Sequence, residues 1–230
     1  MATVSETLFR LIAFSDSAFP IGGFSFSCGL ETAAFEGLVY DEASLEAYVR
    51  TMTRMAATSD GVAALVAHRA VEQEAWSEVL EADQAVWISK TGEEAQRMTR
   101  RVGRKLLDLM RVILPSPTIE HWEELVSQEQ TPCTMPISQA VLFAAAGIDR
   151  EALFSSLQYG MANMILQAAL RTIRISHLEA QQILYRLSTT VAERYEELCD
   201  LELDQMYLFA PEAEILASLH EQGQQRMFMN

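Results

Sequence analysis

The sequence predicts an all-α fold, a single domain spanning residues 1–230 as a bundle of about ten helices. Three observations predict it: apolar residues recur at helical spacing through most of the chain, strand-like alternation is almost absent, and prolines and glycines mostly fall between the apolar stripes. With 230 residues, half of them hydrophobic, the chain is long enough to bury one sizeable core.

The first stripe, Val4, Leu8, Leu11 and Ile12, follows a Thr3-x-x-Glu6 capping box and predicts a helix. Next comes the stretch where constraints are densest, Phe19-Pro20-Ile21-Gly22-Gly23-Phe24-Ser25-Phe26-Ser27-Cys28-Gly29-Leu30-Glu31. Pro20 keeps Phe19 out of the helical region and Gly22-Gly23 permits positive φ or close backbone approach. Ser25 or Ser27 then caps a helix continued by Leu30, Ala33 and Ala34. Gly37 stops it. Asp41 caps the next helix, whose Leu45, Tyr48, Val49, Met52 and Ala56 share a face until Asp60-Gly61 interrupts or kinks it.

Val62, Leu65, Val66 and Arg69, then Trp76, Val79 and Leu80, predict two further helices. Thr91-Gly92 precedes the most charged helix, with Met98, Val102, Leu106, Leu109 and Ile113 facing inward, and Pro115 and Pro117 end it. A polar loop over residues 127–134 leads past Pro136 into residues 138–148, so nearly all-apolar that this helix must be central; Gly147 stops it. A long helix is expected over residues 151–170. Another is expected from Leu178 through Leu184, Leu187, Val191, Tyr195 and Leu198, with Glu193, Glu196, Glu197, Asp200 and Asp204 along a second, solvated face. A last helix follows Pro211 and reaches Leu219.

A net charge of −15 and a pI near 4.6 argue against general nucleic-acid binding or adhesion to anionic lipid, since both rely on clustered positive charge. The partners expected are proteins. Six of the 17 basic residues lie in the charged helix, where Arg97, Arg100, Arg101 and Arg104 share a face. Such a face is solvated, paired with the chain's own carboxylates or docked on an acidic partner in preference to RNA or phosphate. Cys28, Cys133 and Cys199 are odd in number and widely spaced, as in a reducing compartment. There is no basic leader before an apolar run, and the apolar run at residues 140–148 is far below membrane-spanning length, so a soluble cytoplasmic protein with no membrane partner is expected.

Catalytic patterns are missing. His68, His121, His177 and His220 lack metal-ligand spacing, and no P-loop, dinucleotide fingerprint or Gly-x-Ser-x-Gly occurs. From residue chemistry alone, an alternative is a small-molecule α-helical enzyme with its site beside Gly22-Gly23, Glu31 acting as acid or base and Arg171 holding an anionic substrate.

The order Phe-Pro-Ile-Gly-Gly-Phe-Ser-x-Ser-x-Gly-Leu-Glu resembles the N-terminal signature of the urease accessory protein UreF family. The resemblance continues through the alanine-rich segment ending in Gly147-Ile148, the long helix after it, Arg171 and Gln181, and the terminal Arg226-Met227-Phe228-Met229. It implies a non-catalytic, homodimeric assembly factor without a cofactor of its own. Such a factor joins the UreD/UreH scaffold and the GTPase UreG to deliver nickel to the urease apoprotein, GTP and nickel being handled by the partners. Pro20, Gly22, Gly23, Phe24, Ser27, Gly29, Glu31, Arg171, Gln181, Arg226 and Phe228 are the partner-binding residues carried over. Two features depart from the family pattern. Phe24 stands where many relatives carry tyrosine, and Arg174, Ser176 and His177 replace the proline, glycine and glutamine of a Pro-Leu-Gly-Gln turn. The tail, residues 221–230, is too apolar for a solvated terminus and is expected to order in a complex.

Overall fold

The computed structural model describes residues 3–22, 26–90 and 92–210, which hold eleven α-helices and no strand. The expected helix after Pro211 and the apolar tail lie outside the described residues.

Helix α1 (Val4–Ser15) starts at the Thr3 capping box, with both of its hydrogen bonds formed. Its periodic stripe does not enter the core, because Val4, Leu8 and Ile12 are exposed; Leu11 and Phe14 are the residues that pack. Arg10 Nη1 donates to the Ala146 carbonyl at 3.1 Å, and the Ser15 and Ser156 hydroxyls meet at 2.8 Å. These contacts hold α1 across the surface with its apolar stripe outward.

Helix α2 (Leu30–Phe35) has Gly29 at its N-cap with φ +77, a position where a side chain would be strained. The cap expected from serine is therefore a backbone device; Ser27 is buried two residues earlier, and its carbonyl accepts from Leu30 N at 3.2 Å. Helix α3 (Glu42–Ala56) is capped by Asp41 through Ser44. The break expected at Asp60-Gly61 is instead a π-helical turn, Ala57–Gly61, leading directly into α4 (Val62–Glu72). Thr58 and Ser59 hydroxyls donate to the Met55 carbonyl, at 3.2 and 2.8 Å, and stabilise the wider turn locally.

Helices α5 (Trp76–Ser89) and α6 (Glu93–Ile113) follow as expected, although Ile113, the last residue of α6, is half exposed rather than inward. Pro117 does more than end α6. With Ser116 as N-cap it begins α7 (Pro117–Ser127), a helix that periodicity alone had not suggested, and the Ser-Pro pair is its signature. Helix α8 (Met135–Ala146) is central: Ile137, Ala140, Val141, Leu142 and Phe143 are at most 1% exposed. It packs chiefly on α4 and α6. Helix α9 (Arg150–Thr172) crosses both main core clusters, contributing Leu153 and Leu157 to the one around α8 and Ala162, Ile165, Leu166 and Ala169 to the one built with α2 and α3.

The long helix expected from Leu178 is two helices, α10 (His177–Ser188) and α11 (Val191–Leu198). The hydroxyls of Ser188, Thr189 and Thr190 each donate back to a carbonyl three residues earlier, competing with helical continuation at two β-branched positions. Asp204 consequently sits in a separate 3₁₀ turn, Leu203–Gln205, not on a continuous acidic helix face.

One loop ties this architecture together. Asp83 of α5, fully buried, accepts from Cys133 N at 2.7 Å, from Thr134 N at 2.8 Å, and from the Thr131 and Thr134 hydroxyls. Gly103 of α6 lies so close to this loop that a Cβ would stand 2.1 Å from the Cys133 carbonyl oxygen.

Candidate functional site

The glycine-rich loop makes two tight steps before its undescribed centre: Phe19 N donates to Asp16 O at 2.9 Å and Ile21 N to Phe19 O at 2.7 Å. Pro20 is exposed and Gly22 has φ +79. A Cβ on Gly22 would meet nothing closer than Arg101 Nη2 at 3.9 Å, so the dihedral rather than space requires glycine there. Gly23 and Phe24 lie outside the described residues. Beyond them Phe26 is buried, with the Arg101 guanidinium 6.0 Å from its ring centroid. One arginine of the basic stripe thus covers the loop. Arg97 pairs with Glu93, in keeping with a face that meets the chain's own acids.

Cys28 is held at φ +53, and its carbonyl accepts from the Tyr48 hydroxyl at 2.6 Å. Consecutive left-handed residues, Cys28 and Gly29, therefore turn the chain sharply into α2. A non-glycine residue there costs roughly 1–2 kcal/mol, and the half-buried tyrosine bond helps to offset it. Burial pushes the Cys28 thiol up to about 12 and raises the Tyr48 hydroxyl still further from its ordinary value. Neither group is poised as a nucleophile or base. Tyr48 was visible in the sequence only as one member of an apolar face; nothing there distinguished its structural role.

The remaining candidates fall on the second core cluster. Glu31 follows the fully buried Leu30 on α2 and is half-buried. Arg171 is exposed in the last turn of α9, and Gln181 is exposed on α10, one residue past the buried Ala180. Gly29, Glu31, Arg171 and Gln181 thus share the α2–α9–α10 region, whereas Gly22 lies against α6. Arg226 and Phe228 lie outside the described residues. Where the Pro-Leu-Gly-Gln turn is replaced, Ser176 forms a full capping box with Glu179 and begins α10, so the substitution exchanges one way of starting the helix for another.

Of the histidines, His68 is fully buried and its Nε2–H donates to the Ile148 carbonyl at 2.8 Å; Nδ1 lies 3.6 Å from Glu72 Oε2. Among the described residues no group of three or more His, Cys, Asp or Glu side chains converges as metal ligands, and no helix is long and apolar enough to cross a membrane.

Comparison with known proteins adds the decisive observation, since the family model described as UreF matches residues 39–188, from the approach to α3 through the end of α10. The chain belongs to the UreF family. It is 44% identical to the urease accessory protein UreF 2 of Brucella canis and of Brucella abortus strain 2308, in each case over 223 residues, 97% of this chain and 92% of the relative. It is 37% identical to the urease accessory protein UreF of Yersinia pestis strain Pestoides F over 230 residues, 98% of this chain and 99% of the relative. UreF proteins are accessory rather than catalytic proteins. The enzyme alternative built on Glu31 and Arg171 is thereby set aside, and a role in urease maturation, in company with other maturation proteins, takes its place.

The chain also displays an exposed apolar surface whose placement the helical stripe of α1 left open. On α1, Val4, Leu8, Phe9 and Ile12 are 87, 55, 74 and 60% exposed. Phe35, Leu38 and Tyr40 are likewise exposed around the end of α2. Periodicity found the α1 stripe but carries no information about whether anything lies opposite it.

Proposed function

We propose that this chain is a non-catalytic assembly factor that bridges the UreD/UreH scaffold and the GTPase UreG during nickel insertion into the urease apoprotein. It modulates GTP hydrolysis by UreG while GTP and the nickel cargo stay with the partners, and it holds no cofactor of its own. It acts as a single domain, in the cytoplasm, as a homodimer, without nucleic acid or membrane partners. The observation that supports this reading best is the exposed apolar face of α1. Four large apolar side chains in two helical turns, turned away from a core that Leu11 and Phe14 reach, suit docking on another protein and serve no chemistry. The glycine loop, Glu31, Arg171, Gln181, Arg226 and Phe228 form the other partner-binding positions.

The test is reconstitution of the accessory complex from purified scaffold, GTPase and this chain. Wild-type protein should bridge the two partners in gel filtration, and Leu8→Glu with Phe9→Glu should abolish bridging while the helical circular dichroism stays unchanged. Normal bridging by the double variant would remove the α1 face from the interface. Failure of the wild type to hold both partners together would overturn the bridging role.

A further inference from the structure

A cleft of about 280 Å³ opens between α3, α9, α10 and α11. Its walls are mostly apolar, formed in part by Ala162, Leu184, Leu187 and Val191. Against them stands a half-buried cation. Arg194 Nη1 donates to Thr53 Oγ1 at 3.1 Å and to Gln158 Oε1 at 3.3 Å, both neutral oxygens. Among the described residues the guanidinium meets no carboxylate. Thr53 gives its own proton to the Val49 carbonyl at 2.8 Å, so its oxygen is an acceptor only for Arg194. The charges nearest Arg194 are mainly of its own sign: Arg50 and Arg54 on α3, with Glu197 one turn along α11 as the opposing acid. Arg50 is itself paired with Glu46, and Arg54 lies over the Phe209 ring. Burial first, then Arg54 and Arg50, pull Arg194 below the ordinary arginine value.

Gln158 supplies the second, independent observation. The side chain is only 3% exposed, and its Oε1 is used by Arg194, so its orientation is set and the amide Nε2 becomes the free end. That Nε2 is buried without a partner among the described residues. An unpartnered buried donor beside a guanidinium that bonds only neutral oxygens among the described residues is a pair of hydrogen-bond donors suited to one acceptor group.

We propose that this cleft binds a small monocarboxylate with a short aliphatic chain, its carboxylate taken by Arg194 and the Gln158 amide and its chain lying against Ala162, Leu184, Leu187 and Val191. A carboxylate matches the remaining edge of the guanidinium fork and carries one charge, whereas a phosphate would bring more charge and more acceptors than the two donor groups can satisfy between apolar walls. The volume lies just below the usual range for ligand pockets and suits an acid of a few carbons. Leu184 stands one turn along α10 from Gln181, but the binding proposed here does not depend on the assembly role.

The experiment titrates the full chain with sodium butanoate and sodium hexanoate, following the side-chain amide of Gln158 and the Nε–H of Arg194 by NMR, with phosphate and butanol as controls. The expected result is saturable shifts of both signals, with a Kd on the order of millimolar or tighter for so small a ligand. Arg194→Met should weaken binding at least about tenfold, a loss of roughly 1.4 kcal/mol. Because that variant removes a bridging side chain, Gln158→Glu provides the second arm: it keeps the size, adds a counter-charge to Arg194 and should exclude the carboxylate while the protein stays folded. Absent or linear shifts, phosphate binding as tightly as butanoate, or saturable binding unchanged in folded Gln158→Glu would each overturn the proposal, leaving a cleft that holds water.

Discussion

Replacing Asp83 by alanine should weaken the fold more than almost any other single polar change. The carboxylate is fully buried and gathers four donors from one short loop: Cys133 N at 2.7 Å, Thr134 N at 2.8 Å and the Thr131 and Thr134 hydroxyls. The hydroxyls can rotate toward other acceptors, but the two amides are fixed by the backbone. Stranding a buried donor costs about 1–3 kcal/mol, so the two amides together give roughly 2–6 kcal/mol, with a central value of about 4. In a chain of this length each kcal/mol moves the midpoint of thermal unfolding by about 2–4 °C, and the expected fall is about 8–16 °C. Circular dichroism melting reads this directly. Asp83→Asn keeps an acceptor oxygen and should lie between alanine and wild type. A fall in Tm of under about 2 °C in Asp83→Ala would mean that the loop does not depend on the carboxylate, and the reasoning would be refuted.

Three further outcomes are expected. Gly103→Ala forces a Cβ to within 2.1 Å of the Cys133 carbonyl oxygen, so it should destabilise by about 1–3 kcal/mol or more, measured in urea, and less than additively with Asp83→Ala because both disturb the same loop. Glu46 is held below its ordinary value, chiefly by its hydrogen bond to Arg186. Its folded pKa is depressed, so the stability it contributes is present above the unfolded carboxylate pKa, near 4.5, and is lost as pH falls through the lower folded value. Glu46→Gln should flatten that acid limb of the stability curve, and an unchanged limb would count against the pairing. Finally, maleimide should label Cys199 first, since Cys28 and Cys133 are buried with thiols pushed up to about 12; equal labelling rates in the native protein would contradict the burial.

Much of the helix order was legible because its signals are local. The capping box at Thr3 and the cap at Asp41 formed as their residues require, and the nearly all-apolar segment stopped by Gly147 became the central helix, Met135–Ala146. What local signals leave undetermined depends on distant parts of the chain. The α1 stripe has a helical period, but whether it turns inward depends on contacts from Arg10 and Ser15 to residues more than a hundred positions away. Thr189 and Thr190 break the helix by hydroxyl bonds that a residue count does not register. The candidate site was legible as a glycine-rich turn, whereas the Tyr48 anchor and the Arg194 cleft arise from elements far apart in the chain.

The π-helical turn at Ala57–Gly61 sets the phase between α3 and α4. A π turn takes up one residue more than an α turn, which rotates everything after it by about 100° relative to an unbroken helix. Leu45, Val49 and Met52 consequently point into the cluster shared with α9 and α10, while Ala63, Ala64, Ala67 and Ala70, further along the same rod, point into the cluster around α8. A single backbone thus faces two cores in succession without a loop between them. Removing one residue from this turn would bring the rod back into α-helical phase and swing the alanine face off α8. Insertions and deletions should accordingly be far rarer among relatives at these five positions than at Gln73–Ala75, where the chain leaves its helix anyway.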